Sequence, residues 1–265
     1  MTRDGAKIVS QALKRGDIFS VFTSFALNLC DQETGHWKSH SGERRMMYTH
    51  CMQKETTQSS RVRAYNFMRE ELLPDPSTQG TFITEEDVAN RIGNISRTPV
   101  REAFLLLSAE GLIELVPRHG AYIPPVKYQE IEEVLEFREM IETKAAHDVI
   151  ANNRVPIEAM QIALEHQARV TGHGAEREFN RWDTEFHLAL VRGAGNSLMT
   201  KIYSDLRTRQ IRMGVRLLLS TQDRQQEVMA EHQAILDALK AHDLSAAIAA
   251  LSGHILKTAE GLKKI

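Results

Sequence analysis

Ser96-Arg97-Thr98-Pro99-Val100-Arg101-Glu102-Ala103 is the stretch whose reading decides the fold of this chain. It predicts a helix with Thr98 as N-cap and Pro99 at the first helical position, where the missing backbone N–H is no loss. Val100, Ala103, Phe104 and Leu107 recur as one apolar stripe, and Gly111 ends the run. Two guanidiniums, two hydroxyls and free backbone N–H groups gather at the helix start. Such a set suits the major groove of a duplex, because arginine grips guanine through two hydrogen bonds and a helix N-terminus binds phosphate. An isolated Arg-x-x-x-Arg is more often a solvated helix cap, so the neighbouring sequence has to decide.

Upstream, Val62, Tyr65, Met68 and Leu72 are spaced as one face of a helix that stops at Pro74-Asp75-Pro76-Ser77. Thr84 predicts the cap of a second, short helix, with Glu85, Glu86 and Asp87 in the first turn and Val88, Ala89 and Ile92 on the buried side. Gly93 and Asn94 form a turn before the third helix. Downstream, the apolar runs Leu112-Ile113-Glu114-Leu115-Val116 and Ala121-Tyr122-Ile123 flank Pro117-Arg118-His119-Gly120, which predicts a two-stranded hairpin. Three helices followed by a hairpin is the order of a winged helix-turn-helix. Pro124 and Pro125 then mark a linker.

From Tyr128 onward no strand pattern appears. Helical periodicities over residues 130–151, 157–170, 176–193, 197–220, 222–241 and 244–263 predict an all-α bundle of about six helices. A chain of 265 residues fits two domains, since single domains usually run ~100–200 residues. The expected division is an extension over 1–58, a winged helix over 59–126 and a helical bundle over 127–265, mainly α throughout. The extension is crowded with polar residues from Asp31 to Ser60 and reads as lacking regular structure, with Met46, Met47 or Met52 as alternative translation starts.

A formal charge of -2 excludes a protein that coats nucleic acid indiscriminately, so any DNA contact must be local. Cys30 and Cys51 are the only cysteines, which excludes a disulfide framework and zinc-finger spacing and fits a reducing cytoplasm. The most apolar N-terminal run, Ile18 to Cys30, is interrupted by Ser20, Thr23, Ser24 and Asn28, so neither a membrane span nor a signal peptide is expected.

Within the bundle, Asp183 and His187 lie four apart and share a helix face, with Trp182, Phe186 and Leu190 on its apolar side. His232 and His254 come from two later helices. Singly, a histidine is more often a surface or hydrogen-bonded core residue. Converging, one carboxylate and three imidazoles suit a divalent cation, Zn²⁺ first or else Ni²⁺, Mn²⁺ or Fe²⁺, with positions left for water or an effector oxygen. His147, His166, His173 and His242 lack such company and read as solvated. The same cluster could activate a water in a metal-dependent enzyme, but no general base accompanies it and there is no doubled Glu-x-x-His set, so no enzyme is expected. A bundle that only dimerises is a third reading.

The run Ser96 to Ala103, with Glu110-Gly111-Leu112-Ile113 and Pro117 to Gly120 behind it, closely resembles the winged-helix signature of the GntR family of bacterial regulators, over about 61–126. On this reading Arg97 and Arg101 contact bases or phosphates, the hydroxyls of Ser96 and Thr98 bind phosphates, and Gly120 at the wing tip permits close approach to the duplex. The resemblance adds Arg61 or Arg63 on the first helix as an operator contact. Two departures are visible: Ile92-Gly93-Asn94-Ile95 precedes Ser96 where the family has Leu-Gly-Val, and the loop from Pro74 to Phe82 lacks the usual Pro-Gly.

Asp183, His187, His232 and His254 resemble the ligand set of the FadR C-terminal (FCD) domain that commonly follows a GntR winged helix, over about 130–257. Arg138 matches an arginine in the opening helix of that domain, which implies an inward guanidinium for an effector carboxylate; the competing reading is a surface pair with Glu142. Arg209 and Arg212 are further candidates for the same pocket. The resemblance implies a homodimeric cytoplasmic repressor acting on a palindromic double-stranded DNA operator, released by a small carboxylate metabolite, with no membrane partner.

Overall fold

Ser59 opens the first helix: its hydroxyl accepts a hydrogen bond from Val62 N, and α1 runs Ser60–Phe67 before widening into a π-helical turn, Met68–Leu72. The computed structural model describes residues 58–220 and 223–264, so the extension expected over 1–58, with its alternative starts, falls outside the described residues apart from Gln58. Asp75 caps a 3₁₀ turn, Pro76–Thr78, and the chain enters β1, Thr81–Ile83. Thr84 is the N-cap expected at the start of α2, Glu85–Ile92, and with Asp87 it forms a reciprocal capping box.

Gly93 and Asn94 both take left-handed backbone angles in the turn to α3, Arg97–Ala109. Ser96 rather than Thr98 is the N-cap, which puts Pro99 in the third helical position. Proline is tolerated there because none of the first N–H groups of a helix has an acceptor within it. The wing comprises β2, Glu114–Val116, and β3, Gly120–Ile123. It pairs antiparallel with Val116 opposite Gly120, while Leu112 and Ile113 are buried core plugs rather than strand. β1 adds a third strand in the order β1-β3-β2, with Ile83 opposite Ala121.

Gly120 does not sit at the tip of the wing as expected; Arg118 and His119 do, and Gly120 begins β3. The need for glycine is internal. Its φ is +92°, and a Cβ would stand 2.4 Å from the carbonyl oxygen of Ile83. Gly120→Ala is therefore expected to destabilise the winged helix by about 2 kcal/mol or more, visible as a lowered melting temperature.

The helical part comprises α4 (Tyr128–Ala151), α5 (Ile157–Arg169), α6 (Glu176–Gly193), α7 (Ser197–Asp205), α8 (Arg207–Ser220), α9 (Arg224–Lys240) and α10 (Leu244–Leu262). The single helix expected over 197–220 is thus two, broken at Leu206, where Leu206 N turns back to the carbonyl of Tyr203. The apolar faces of α4, α5, α6, α9 and α10 supply a core that includes Val149, Leu164, Phe186, Leu190, Ile235, Leu239 and Leu251. Burying each such side chain contributes roughly 1.5–3 kcal/mol. The winged helix has its own core around Met68, Val88, Phe104, Leu107 and Ile123. Among the described residues no helix is long and apolar enough to cross a membrane.

α8 joins the two parts. Arg69 Nε donates to Thr208 Oγ1 at 2.7 Å, Arg209 to the carbonyl of Glu110 at 2.7 Å, and Arg212 to the carbonyl of Pro124 at 2.6 Å. Its other face meets α6 at Gly214, where a Cβ would fall 1.7 Å from Asn180 Nδ2. Only glycine allows the two helices to approach so closely.

Candidate functional site

The start of α3 is open. Ser96 makes no side-chain capping bond, and Ser96, Arg97, Thr98 and Arg101 are all exposed. Between α2, α3 and the wing lies a groove of about 630 Å³, bordered by Glu86, Arg97, Arg101, Arg118 and His119 among others. Arg118 and His119 were not singled out from sequence, since only the paired hairpin turns them toward α3. Arg97 is bonded to Glu86, an exposed pair. Such pairs contribute ~0–1 kcal/mol, so a phosphate or guanine displaces the carboxylate at little cost. Arg61 is exposed and Arg63 half-buried in the first turn of α1; neither borders this groove.

The bundle brings Asp183, His187, His232 and His254 together, with one ligand atom from each and no two of these more than 4.8 Å apart. Asp183 and His187 share a face of α6, His232 comes from α9 and His254 from α10. The rings pack tightly, with His232 stacked on Phe186 at 4.3 Å and its centroid 4.9 Å from those of both His187 and His254. The remaining histidines of the bundle stay apart: His147, His173 and His242 are exposed, and His166 stacks on Trp182.

Each ring is held from outside by an oxygen. Gln167 Oε1 lies 2.9 Å from His232 Nδ1, and Glu231 Oε2 lies 2.7 Å from His254 Nδ1. Glu142 Oε2 approaches His187 Nδ1 to 2.8 Å, though outside hydrogen-bonding geometry. Carboxylate and amide oxygens only accept, so the ring protons of His232 and His254 sit on Nδ1 with lone pairs on Nε2, and the carboxylate beside His187 Nδ1 favours the same tautomer there. His187 Nε2 and His232 Nε2 then face each other at 3.2 Å, with Asp183 Oδ1 3.3 Å from His232 Nε2. Two lone pairs so placed repel unless a cation stands between them, and these separations match the spacing of neighbouring ligands on a metal with bonds of ~2.1 Å.

Protonation of His232 is disfavoured and does not relieve the repulsion. Burial pushes His254 down to about 3 despite the Glu231 carboxylate, with His232 and His187 adding to the effect. Burial likewise lowers His232, and the nearby Asp183 only partly opposes it. Burial alone would raise the Asp183 carboxyl, but its contact with His232 and the charge of Arg138 outweigh burial and hold it well below the ordinary carboxylate range. A donor set of three imidazoles and one carboxylate fits a first-row divalent cation of the zinc, nickel, manganese or iron type better than calcium or magnesium.

Arg138 faces inward and is paired at the same time, so the two sequence readings are each half right. Its Nε donates to Glu142 Oε1 at 2.8 Å, and the side chains are 6% and 0% exposed. Tyr203 donates to the same carboxylate oxygen at 2.6 Å. Burial would raise Glu142, but the Arg138 charge outweighs it and keeps the carboxyl ionised. A cavity of about 30 Å³ adjoins Arg138, Asp183 and His254 and is lined also by Asn180, Gln210, Gly214 and Arg224. Among the described residues, Arg138 Nη2, Asn180 Oδ1, Gln210 Oε1 and Arg224 Nε make no hydrogen bond, and Gln210 Nε2 has no more than a loose contact with Tyr203. Each such buried atom costs about 1–3 kcal/mol while unpaired, so the cavity wall is built for a polar guest.

Arg209 and Arg212 are not brought to this cavity. Arg209 reaches Glu110 and Glu130, and Arg212 the carbonyl of Pro124, because their side of α8 faces the winged helix. Gln210, on the opposite side of that helix, lines the cavity instead. Gln167, Glu231 and Asn180 had no readable signal in the sequence, since each acts on a residue of another helix, and Glu142, legible as a partner of Arg138, carried no sign of its approach to His187.

The chain has counterparts among known proteins. Residues 61–123 match the bacterial regulatory proteins of the gntR family, and residues 133–257 match the FCD domain. The "Probable D-xylose utilization operon transcriptional repressor" of Paenarthrobacter nicotinovorans is 30% identical over 201 residues, covering 76% of this chain and 86% of its own length. The transcriptional repressor RspR of Escherichia coli (strain K12) is 27% identical over 217 residues, covering 80% of this chain and 93% of its own. The crystal structure of a GntR regulator from Rhodococcus sp. RHA1 shares the fold, with a TM-score of 0.65 at 18% identity over 78% of this chain and 99% of that one. The metal-dependent enzyme considered as an alternative gives way, since these families and relatives are regulators. The chain belongs to the GntR family of bacterial regulatory proteins, as a member carrying an FCD domain, and is a DNA-binding transcriptional regulator.

Proposed function

We propose that this regulator is a cytoplasmic homodimeric repressor whose grip on a palindromic operator is released by a small carboxylate held at a divalent metal. Residues 59–126 read DNA, with Arg97 and Arg101 on bases or phosphates, Ser96 and Thr98 on phosphates, and Arg61 or Arg63 at the flanking backbone. Residues 127–265 dimerise and sense the effector. Repression is supported by the names of the relatives from Paenarthrobacter nicotinovorans and Escherichia coli. Dimerisation is supported by the smallness of one recognition helix: two half-sites about one helical turn apart multiply affinity and selectivity.

The observation that carries the effector reading is one cavity lined both by buried Arg138, whose Nη2 is unpaired, and by Asp183 and His254 of the ligand set. Asp183, His187, His232 and His254 would hold the cation, which would supply a Lewis-acid contact to one carboxylate oxygen, and Arg138 would hold the other. The cavity of about 30 Å³ has room for about two waters, so an organic acid enters only when the wall yields. α8 is the wall that also touches the winged helix through Thr208, Arg209 and Arg212. An acid that binds better once α8 has moved thereby loosens the DNA-reading part, as required of any ligand that shifts an equilibrium.

The test is a gel-shift titration with the DNA upstream of the protein's own gene. Zinc-loaded protein is expected to retard that duplex, and a panel of organic acids to contain one that weakens binding at least about tenfold. Asp183→Ala should bind DNA as well as the wild type does and lose the response to acid. Failure to retard the duplex with or without zinc, or an undiminished acid response in Asp183→Ala, would overturn the reading.

A further inference from the structure

We infer that the effector is a short monocarboxylate bearing hydroxyl groups, and that Asn180 and Gln210 are the residues that select it. The inference rests on the effector reading above and narrows it. Arg138, Asn180, Gln210 and Arg224 line the cavity and are 5%, 6%, 6% and 3% exposed. Of nine buried side-chain atoms without a hydrogen-bond partner among the described residues, five belong to these four side chains. Their chemistry sorts the candidates. Arg138 Nη2, Arg224 Nε and Gln210 Nε2 can only donate, whereas Asn180 Oδ1 and Gln210 Oε1 can only accept.

A carboxylate satisfies donors and is repelled by bare carbonyl oxygens. The two acceptors therefore call for O–H groups on the ligand. The charge of Arg224 is already answered by Glu227 at 3.1 Å and Glu231 at 2.8 Å, so it does not call for a second carboxylate. An aromatic or plain aliphatic acid brings no O–H and leaves both amide oxygens buried and unpaired. Length is limited as well. The contact of Gly214 with Asn180 sets α8 close against α6, and the about 30 Å³ between them must widen even for an acid of a few carbons.

Three acids of three carbons decide it. Zinc-loaded full-length protein is titrated calorimetrically with glycerate (both enantiomers), propionate and malonate. One enantiomer of glycerate is expected to bind at least about tenfold more tightly than propionate or malonate. Gln210→Met, similar in shape but without the amide, should reduce glycerate to the affinity of propionate while zinc content and acid-free melting temperature stay as in the wild type. Asn180→Ala, with the same controls, is a second route should Gln210→Met fold poorly. Equal binding of propionate or malonate to the wild type, or a hydroxyl preference that survives in both variants, overturns the inference and leaves the effector reading standing. If none of the three acids binds while zinc is retained, the inference falls together with the effector role of this cavity.

Discussion

Arg101→Ala is expected to reduce operator affinity by between about 30-fold and 10⁴-fold, because a bidentate arginine–guanine contact contributes about 1–3 kcal/mol and a dimer on a palindrome loses two of them. Arg101 is exposed on the second turn of α3, one turn beyond Arg97 and away from the core formed by Val100, Ala103 and Phe104. Its removal opens no cavity and orphans no buried group, so thermal stability should stay within about 0.5 kcal/mol of the wild type. Binding to unrelated DNA should fall much less, since that depends on the total of phosphate contacts. Quantitative footprinting on operator and scrambled duplexes reads both quantities. Equal losses on the two would reassign Arg101 to the phosphate backbone, and an unchanged footprint would remove it from the interface.

His232→Ala is expected to abolish stoichiometric metal binding. The residue is fully buried, its Nδ1 fixed by Gln167 and its Nε2 directed at both His187 and Asp183. Loss of a supporting outer partner alone typically weakens a metal site 10–100-fold, so loss of a ligand should exceed about 100-fold. Metal analysis after dialysis should fall from about one ion per chain to near none, and added zinc should raise the melting temperature of the wild type only. The truncation also leaves a gap against Phe186, so chelated wild type is the proper reference for stability.

Acid should mimic that loss. His254 is pushed down to about 3 by burial and His232 is lowered for the same reason, whereas an unfolded imidazole titrates near ~6.5. The unfolded chain therefore takes up protons first. Stability of the metal-free protein is fully present above about pH 6.5 and declines below it, by up to about 1.4 kcal/mol per pH unit for each imidazole, with the His254 share falling away down to about pH 3. Glu231, which burial would raise but His254 and Arg224 hold down to about 2, adds its loss as pH falls from about 4.5 toward 2. Denaturant titrations of chelated protein at neutral and acidic pH measure the slope; a flat profile would mean that these rings are hydrated and not buried as a neutral cluster.

Much of the winged helix was legible because its signals are local. The Thr84 cap, the glycine turn and the apolar stripe of α3 act within a few residues of one another. β1 escaped notice, since Thr81–Ile83 is too short to show a period and becomes a strand only by pairing with β3. The break at Leu206 was equally hidden, because the sequence on either side is helical.

The grouping of Asp183 with His187 and the presence of His232 and His254 were written in the chain, for a four-residue spacing means one helix face whatever the helix packs against. Which oxygen holds each imidazole, which side of α8 carries a sensing residue and which an anchoring one, and why Gly120 must be glycine were decided by the packing of distant segments. Gln210 and Arg209 are neighbours in sequence, yet one lines the cavity and the other grips the winged helix. Successive helical side chains diverge by about 100°, and only the elements packed on either side give those directions a meaning.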